Sequence, residues 1–140
     1  MALGYLPEGR IQTYYNRHLG EERGHAEMMQ ADLASAAIEP PAVHWKAARL
    51  AGTQAYLIHH VSPLMLLGYM AALECRPWSL TQVAYLENLH GKPLMRCIRY
   101  HAEHDAKHGP ELLALIDTLT EQEQTLIASN AGHTAWLLQE

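Results

Sequence analysis

Proline placement constrains this chain more than any other feature of its sequence. Pro40-Pro41, Pro63, Pro77, Pro93 and Pro110 punctuate an otherwise helix-favouring chain. Each of them removes a backbone donor and crowds the preceding turn of a helix. From about Glu8 to Ala37 no proline intervenes, helix formers dominate, and Tyr14, Leu19, Met28, Leu33 and Ile38 form a loose apolar stripe. Glu39-Pro40-Pro41 ends that stretch, and a second helix is expected from about His44 to Val61. Ser62-Pro63 reads as a restart, with serine as N-cap and proline in the first turn. The third stretch, Leu64 to Cys75, is apolar on nearly every side, as a buried central helix is. Ser79 is expected to cap a short helix to about Leu89, before Gly91. A fifth helix runs from near Pro93 to Leu119, with a kink or division at Gly109-Pro110. Thr120-Glu121-Gln122-Glu123 is a capping box for a last helix ending near Leu138. No β-branched run alternates with polar residues, and no Asn-Gly or Asp-Gly hairpin signal occurs. The expectation is an all-α chain: one domain over residues 1–140, an irregular bundle of about five to six helices.

Charge and composition exclude several classes of function. Lysine and arginine number 10 against 15 acids, a net charge of −5, so the basic footprint that nucleic-acid binding needs is missing. The longest apolar stretch, Val61 to Leu73, is broken by Ser62, Pro63 and Gly68 and falls short of the ~20 residues of a membrane crossing. The N-terminus lacks the charged and apolar regions of a secretory signal. Cys75 and Cys97 form no close pair and suit a reducing setting, so the expected location is the cytoplasm. The composition stands out for 10 histidines and no phenylalanine. Histidine is the commonest metal ligand among side chains, so the position of those imidazoles matters most.

Two segments carry the chemistry. In Tyr100-His-Ala-Glu-His-Asp-Ala-Lys-His108, residues His101, Asp105 and His108 stand at i, i+4 and i+7. On a helix those side chains fall within roughly 60° of one another. His18, Glu22 and His25 repeat the same spacing, and Glu22-x-x-His25 is also the arrangement by which carboxylate bundles hold paired metals. Glu74 adds a carboxylate at the end of the most apolar helix, where an ionised group is costly unless paired or metal-bound; Pro77 close behind it leaves a solvated edge as the alternative. The bland reading of both stripes is a solvated salt-bridge face. His44, His90, His104 and His133 are expected at the surface, and His59-His60 either beside a pocket or at an interface. Tyr14, Tyr15, Tyr56, Tyr69 and Met70 are expected in the core, with Tyr69 a candidate pocket wall. Arg96 and Arg99 are candidates to anchor a substrate carboxylate, with surface charge as the alternative.

These segments resemble a known family. His18-Leu-Gly-Glu-Glu-Arg-Gly-His25, with the Met28-Met-Gln-Ala-Asp-Leu33 that follows, is similar to the first ligand helix of the haem-oxygenase-like diiron oxidases and oxygenases. Ser62 to Glu74 resembles their central helix, and His101-x-x-x-Asp105-x-x-His108 their last ligand motif; together the likeness covers residues 14 to 117. The resemblance implies a haem-oxygenase-like fold and two iron ions, or manganese with iron, held by Glu22, His25, Glu74, His101, Asp105 and His108. His18 stands where some members have a glutamate, as an alternative ligand or a neighbour supporting the ligands. It also implies dioxygen and a small amino-acid-like or fatty-acid-like organic molecule as substrates. The family usually carries further helices before the first ligand helix, so this is expected to be either a minimal or truncated version or one covered by another chain, with a homodimer the expected assembly. A metal-free thiaminase-like or cofactor-synthesising relative and a non-catalytic dimerising module are the competing readings.

Overall fold

A computed structural model describes residues 9–40 and 42–139; the expected helix start at Glu8 lies just outside them. The described residues form eight α-helices and no strand: α1 (Arg10–Glu21), α2 (His25–Ser35), α3 (Trp45–His60), α4 (Met65–Glu74), α5 (Leu80–His90), α6 (Arg96–His104), α7 (His108–Ile116) and α8 (Glu121–Gln139). Two 3-10 turns, Lys92–Met95 and Asp105–Lys107, flank α6. All six expected helical stretches are present, and two of them are divided.

Both divisions correct the expected register. The first stretch breaks at Glu22 to Gly24, where Gly24 takes φ 93°, ψ −6°. That left-handed conformation is one glycine adopts without a Cβ clash. The fifth stretch tightens into a 3-10 turn at Asp105–Lys107 and not at Gly109-Pro110. Pro110 instead occupies the first turn of α7, where a missing N–H costs nothing because no intrahelical acceptor faces it. Neither histidine-acid-histidine stripe therefore lies on one continuous helix.

The caps behave as their residue types require. Ser79 and Gln82 close a reciprocal box, Oγ accepting the Gln82 N–H at 3.2 Å and Gln82 Oε1 accepting the Ser79 N–H at 2.9 Å. Glu123 Oε2 accepts the Thr120 N–H at 2.9 Å at the start of α8. Ser62 Oγ accepts the Leu64 N–H at 3.2 Å, one turn ahead of α4 proper.

Helix α4 is the central element. Its Leu67 and Met70 pack with Tyr14, Tyr15, Leu112 and Ile127, all buried. Glycine brings the neighbouring backbones close: a Cβ on Gly68 would collide with the Ile127 carbonyl of α8 and stand 3.0 Å from the Ala131 nitrogen. Gly109 does the same for α7, since a Cβ there would lie 2.9 Å from the Glu74 carbonyl and 3.1 Å from Cys75 Cα. The start of α7 is thus pressed against the end of α4. A buried polar knot ties α3 to α8 and α4: Asn130 Nδ2 donates to Gln54 Oε1 at 2.8 Å and to the Met65 carbonyl at 2.6 Å, and Gln54 Nε2 donates to Thr134 Oγ1 at 3.1 Å. Tyr56 departs from the expected core and lies on the exposed side of α3. Among the described residues no helix is long and apolar enough to cross a membrane.

Gly68→Ala should destabilise the fold by about 1–3 kcal/mol through overpacking. The check is a lower urea midpoint at unchanged slope. Gly132→Ala, on the same α8 but with nothing within 4 Å of the added Cβ, should be neutral or stabilising.

Candidate metal centre

Five helices and the two breaks between consecutive pairs of them deliver the side chains that the sequence singles out. His18 comes from the last turn of α1, Glu22 from the break after it, and His25 from the first turn of α2. Glu74 ends α4, His101 comes from α6, Asp105 opens the 3-10 turn, and His108 starts α7. The two breaks give the arrangement its shape, because each places a carboxylate between helices, where its two oxygens can face different neighbours. Glu22 Oε2 lies 2.8 Å from His25 Nδ1, and its Oε1 lies 4.0 Å from His18 Nε2. Asp105 Oδ2 lies 2.6 Å from His101 Nδ1, and its Oδ1 lies 3.4 Å from His108 Nδ1.

Two groups of three result. His18, Glu74 and His108 are buried, with Glu74 Oε1 3.6 Å from His18 Nε2 and Oε2 3.4 Å from His108 Nδ1. Glu22, His25 and His101 are half-buried, with the two imidazole rings edge to face at 4.6 Å. Within each group the donor atoms all lie within 4.8 Å of one another, close enough to share one ion. His18 and Glu22 fall in different groups, so each has a place in the cluster. Asp105 belongs to neither group of three but touches a histidine of both.

Burial makes this arrangement costly without a cation. Desolvation pushes the Glu74 carboxyl above the usual range, Asp105 adds to the rise, and His108 opposes it. Desolvation likewise pulls the His18 imidazole down, against the attraction of Glu22. Glu22 Oε1, Glu74 Oε2, His108 Nδ1 and Glu21 Oε2 are all buried without a hydrogen-bond partner. Buried polar atoms are nearly always satisfied, so four orphans in one cluster call for a missing partner. Imidazoles mixed with carboxylates suit iron, manganese or zinc, and one cation answers an orphan carboxylate oxygen and an orphan imidazole nitrogen alike. Tyr14 stacks on the His18 ring at 5.9 Å, and its buried hydroxyl is pushed up to about 12, by desolvation first and Glu74 next. A cavity of about 160 Å³ reaches the cluster between Glu22, His25, Tyr100, Asp105 and His108.

The remaining candidates stand elsewhere. Arg96 Nε donates to Asp32 at 2.8 Å, and Arg99 donates to Glu87 at 2.5 and 2.6 Å and to Glu103 at 3.2 Å. Both guanidiniums are held in protein ion pairs, which argues against their anchoring a substrate. His44, His59, His60, His90, His104 and His133 are exposed. Tyr69 is half-buried against the core. Glu21 is the site residue that the stripe spacing missed, although His18-x-x-Glu21 is itself a same-face spacing.

The chain matches no protein-family model, no curated protein and no solved structure.

The Glu74 shift sets a pH dependence for the metal-free protein. An acid whose folded pKa is raised binds more protons folded than unfolded, so its contribution to stability falls as pH climbs from the ordinary carboxylate range through the raised value. Glu74→Gln should therefore gain stability relative to the parent chain as pH rises across that window, measured by urea melts at successive pH values. Divalent metal should stabilise the parent chain, by about 2.7 kcal/mol at a free concentration one hundred times Kd. His108→Ala should abolish that gain in a thermal melt.

Proposed function

We propose that this chain is a non-haem dinuclear-iron oxidase or oxygenase of the haem-oxygenase-like kind, acting with dioxygen on a small organic substrate. The observation that carries the reading is the convergence of His18, Glu22, His25, Glu74, His101, Asp105 and His108 on one cluster in which Glu22 Oε1, Glu74 Oε2 and His108 Nδ1 are buried without partners. Glu74, His18 and His108 would hold one ion, and Glu22, His25 and His101 the other; manganese with iron would fit the same donors. Glu22 and Asp105 each offer an oxygen to both groups and so would link the two ions. With two divalent cations bound, the four carboxylates of Glu21, Glu22, Glu74 and Asp105 would balance the metal charge. When bound, the iron pair would supply the reduction of dioxygen. The cavity of about 160 Å³ beside Tyr100 would admit part of a small amino-acid-like or fatty-acid-like substrate to the cluster.

The setting proposed is the cytoplasm, where the thiols of Cys75 and Cys97 stay reduced, and the assembly proposed is a homodimer. Val43, Trp45, Tyr56, Tyr85 and Leu89 are all strongly exposed, and a second copy would take such side chains out of water.

Anaerobic loading with ferrous iron tests the reading. The expected result is about two irons retained per chain, as paired carboxylate sites hold, with oxygen uptake on exposure to air that exceeds that of free ferrous ion. Asp105→Ala should lower both. Failure to retain iron, together with an unchanged melting temperature, would leave a metal-free helical module as the better account.

A further inference from the structure

Glu21 is placed differently from the other carboxylates of the cluster. Its Oε2 is buried and unpartnered, 3.9 Å from His18 Nδ1 and 3.5 Å from His108 Nε2. Those are the outer nitrogens of the two rings. The inner ones face the other carboxylates: His18 Nε2 lies 3.6 Å from Glu74, and His108 Nδ1 lies 3.4 Å from both Glu74 and Asp105. Glu21 belongs to neither group of three that could share an ion. A neutral imidazole has one nitrogen with a lone pair and one with a hydrogen, so the group facing the outer nitrogen decides which nitrogen can bind metal.

We infer that Glu21 is a positioning residue, whose single Oε2 faces the outer nitrogens of both His18 and His108, favours a hydrogen on each of them, and so sets the two rings in opposite tautomers. His18 then carries its hydrogen on Nδ1 and presents Nε2, whereas His108 carries its hydrogen on Nε2 and presents Nδ1. Both lone pairs point toward Glu74. An anionic acceptor also makes each imidazole a better donor to a cation. Because His18 sits on α1 and His108 on α7, one carboxylate sets ligands from two helices far apart in sequence. The inference rests on the metal-centre part of the proposed function and not on iron or oxygen chemistry.

Zinc is a suitable probe because it is diamagnetic. Long-range proton–nitrogen spectra of the full chain labelled with nitrogen-15 histidine, loaded with Zn²⁺, should show His18 protonated at Nδ1 and His108 at Nε2. Glu21→Gln keeps the side-chain shape but removes the charge, and should weaken Zn²⁺ binding by about tenfold. Glu21→Ala should weaken it further, with the histidine signals no longer confined to one tautomer. The metal-free melting temperature of Glu21→Gln should match that of the parent chain, which separates positioning from a merely structural role. Zn²⁺ affinity unchanged in Glu21→Gln, or both histidines in the same tautomer, overturns the role of Glu21 and leaves the metal centre standing. Absence of Zn²⁺ binding by the parent chain overturns both.

Discussion

A carboxylate buried at the end of the most apolar helix is the constraint around which this molecule is arranged. Glu74 follows nine residues of α4 that hold no charge, and it reaches the interior because α7 and α8 close over that helix. Gly68 and Gly109 permit the closure, since any side chain at either position would hold a neighbouring backbone away. Desolvation of such a group costs several kcal/mol unless a counter-charge is supplied. His18 and His108 stand 3.6 and 3.4 Å from its oxygens, and His108 opposes the rise of the carboxyl while Asp105 adds repulsion. Sites that bind or react commonly hold charge at the expense of stability in this way.

Carboxylates at helix breaks shape the rest of the cluster. On an unbroken helix, His18, Glu22 and His25 would project side by side and address a single point. With Gly24 in the left-handed region, α2 leaves in a new direction, and Glu22 sits in the angle between His18 and His25. The 3-10 turn at Asp105 does the same between His101 and His108. Five of the six stripe residues, together with Glu74, thus form two clusters of three that mix the helices, with Glu22 and Asp105 standing at the breaks.

Ion pairs hold the outer half of this arrangement in place. Asp32 is buried and accepts from the Cys97 N–H at 2.7 Å and from Arg96, which fastens α2 to α6 and hence His25 to His101. Arg99 and Glu87 join α6 to α5, and the arginine holds the Glu87 carboxyl below its usual range. The inner half relies instead on apolar packing of α1, α4, α7 and α8 and on the Asn130 knot. These contacts on both sides fix the helices that carry the imidazoles relative to one another.

Much of this was legible along the chain, because helix termini and same-face spacing are local properties. Pro40-Pro41, Ser62-Pro63, Pro77, Ser79 and Thr120 mark boundaries through missing donors and side-chain caps, which act within a turn or two. The repeated histidine-acid-histidine spacing likewise singles out six of the seven side chains that build the two groups and join them, and the unusual charge on α4 singles out the seventh. Tertiary structure decided the rest. A glycine's φ depends on where the following helix must go, so the break at Gly24 and the survival of a helix through Pro110 are set by packing and not by propensity. Tyr56 is outside and Gln54 inside because a helix periodicity defines a face without saying what covers it. Glu21 stands next to Glu22 in the chain and serves different atoms in space, since only the meeting of α1 with α7 puts one oxygen between the outer nitrogens of two distant histidines.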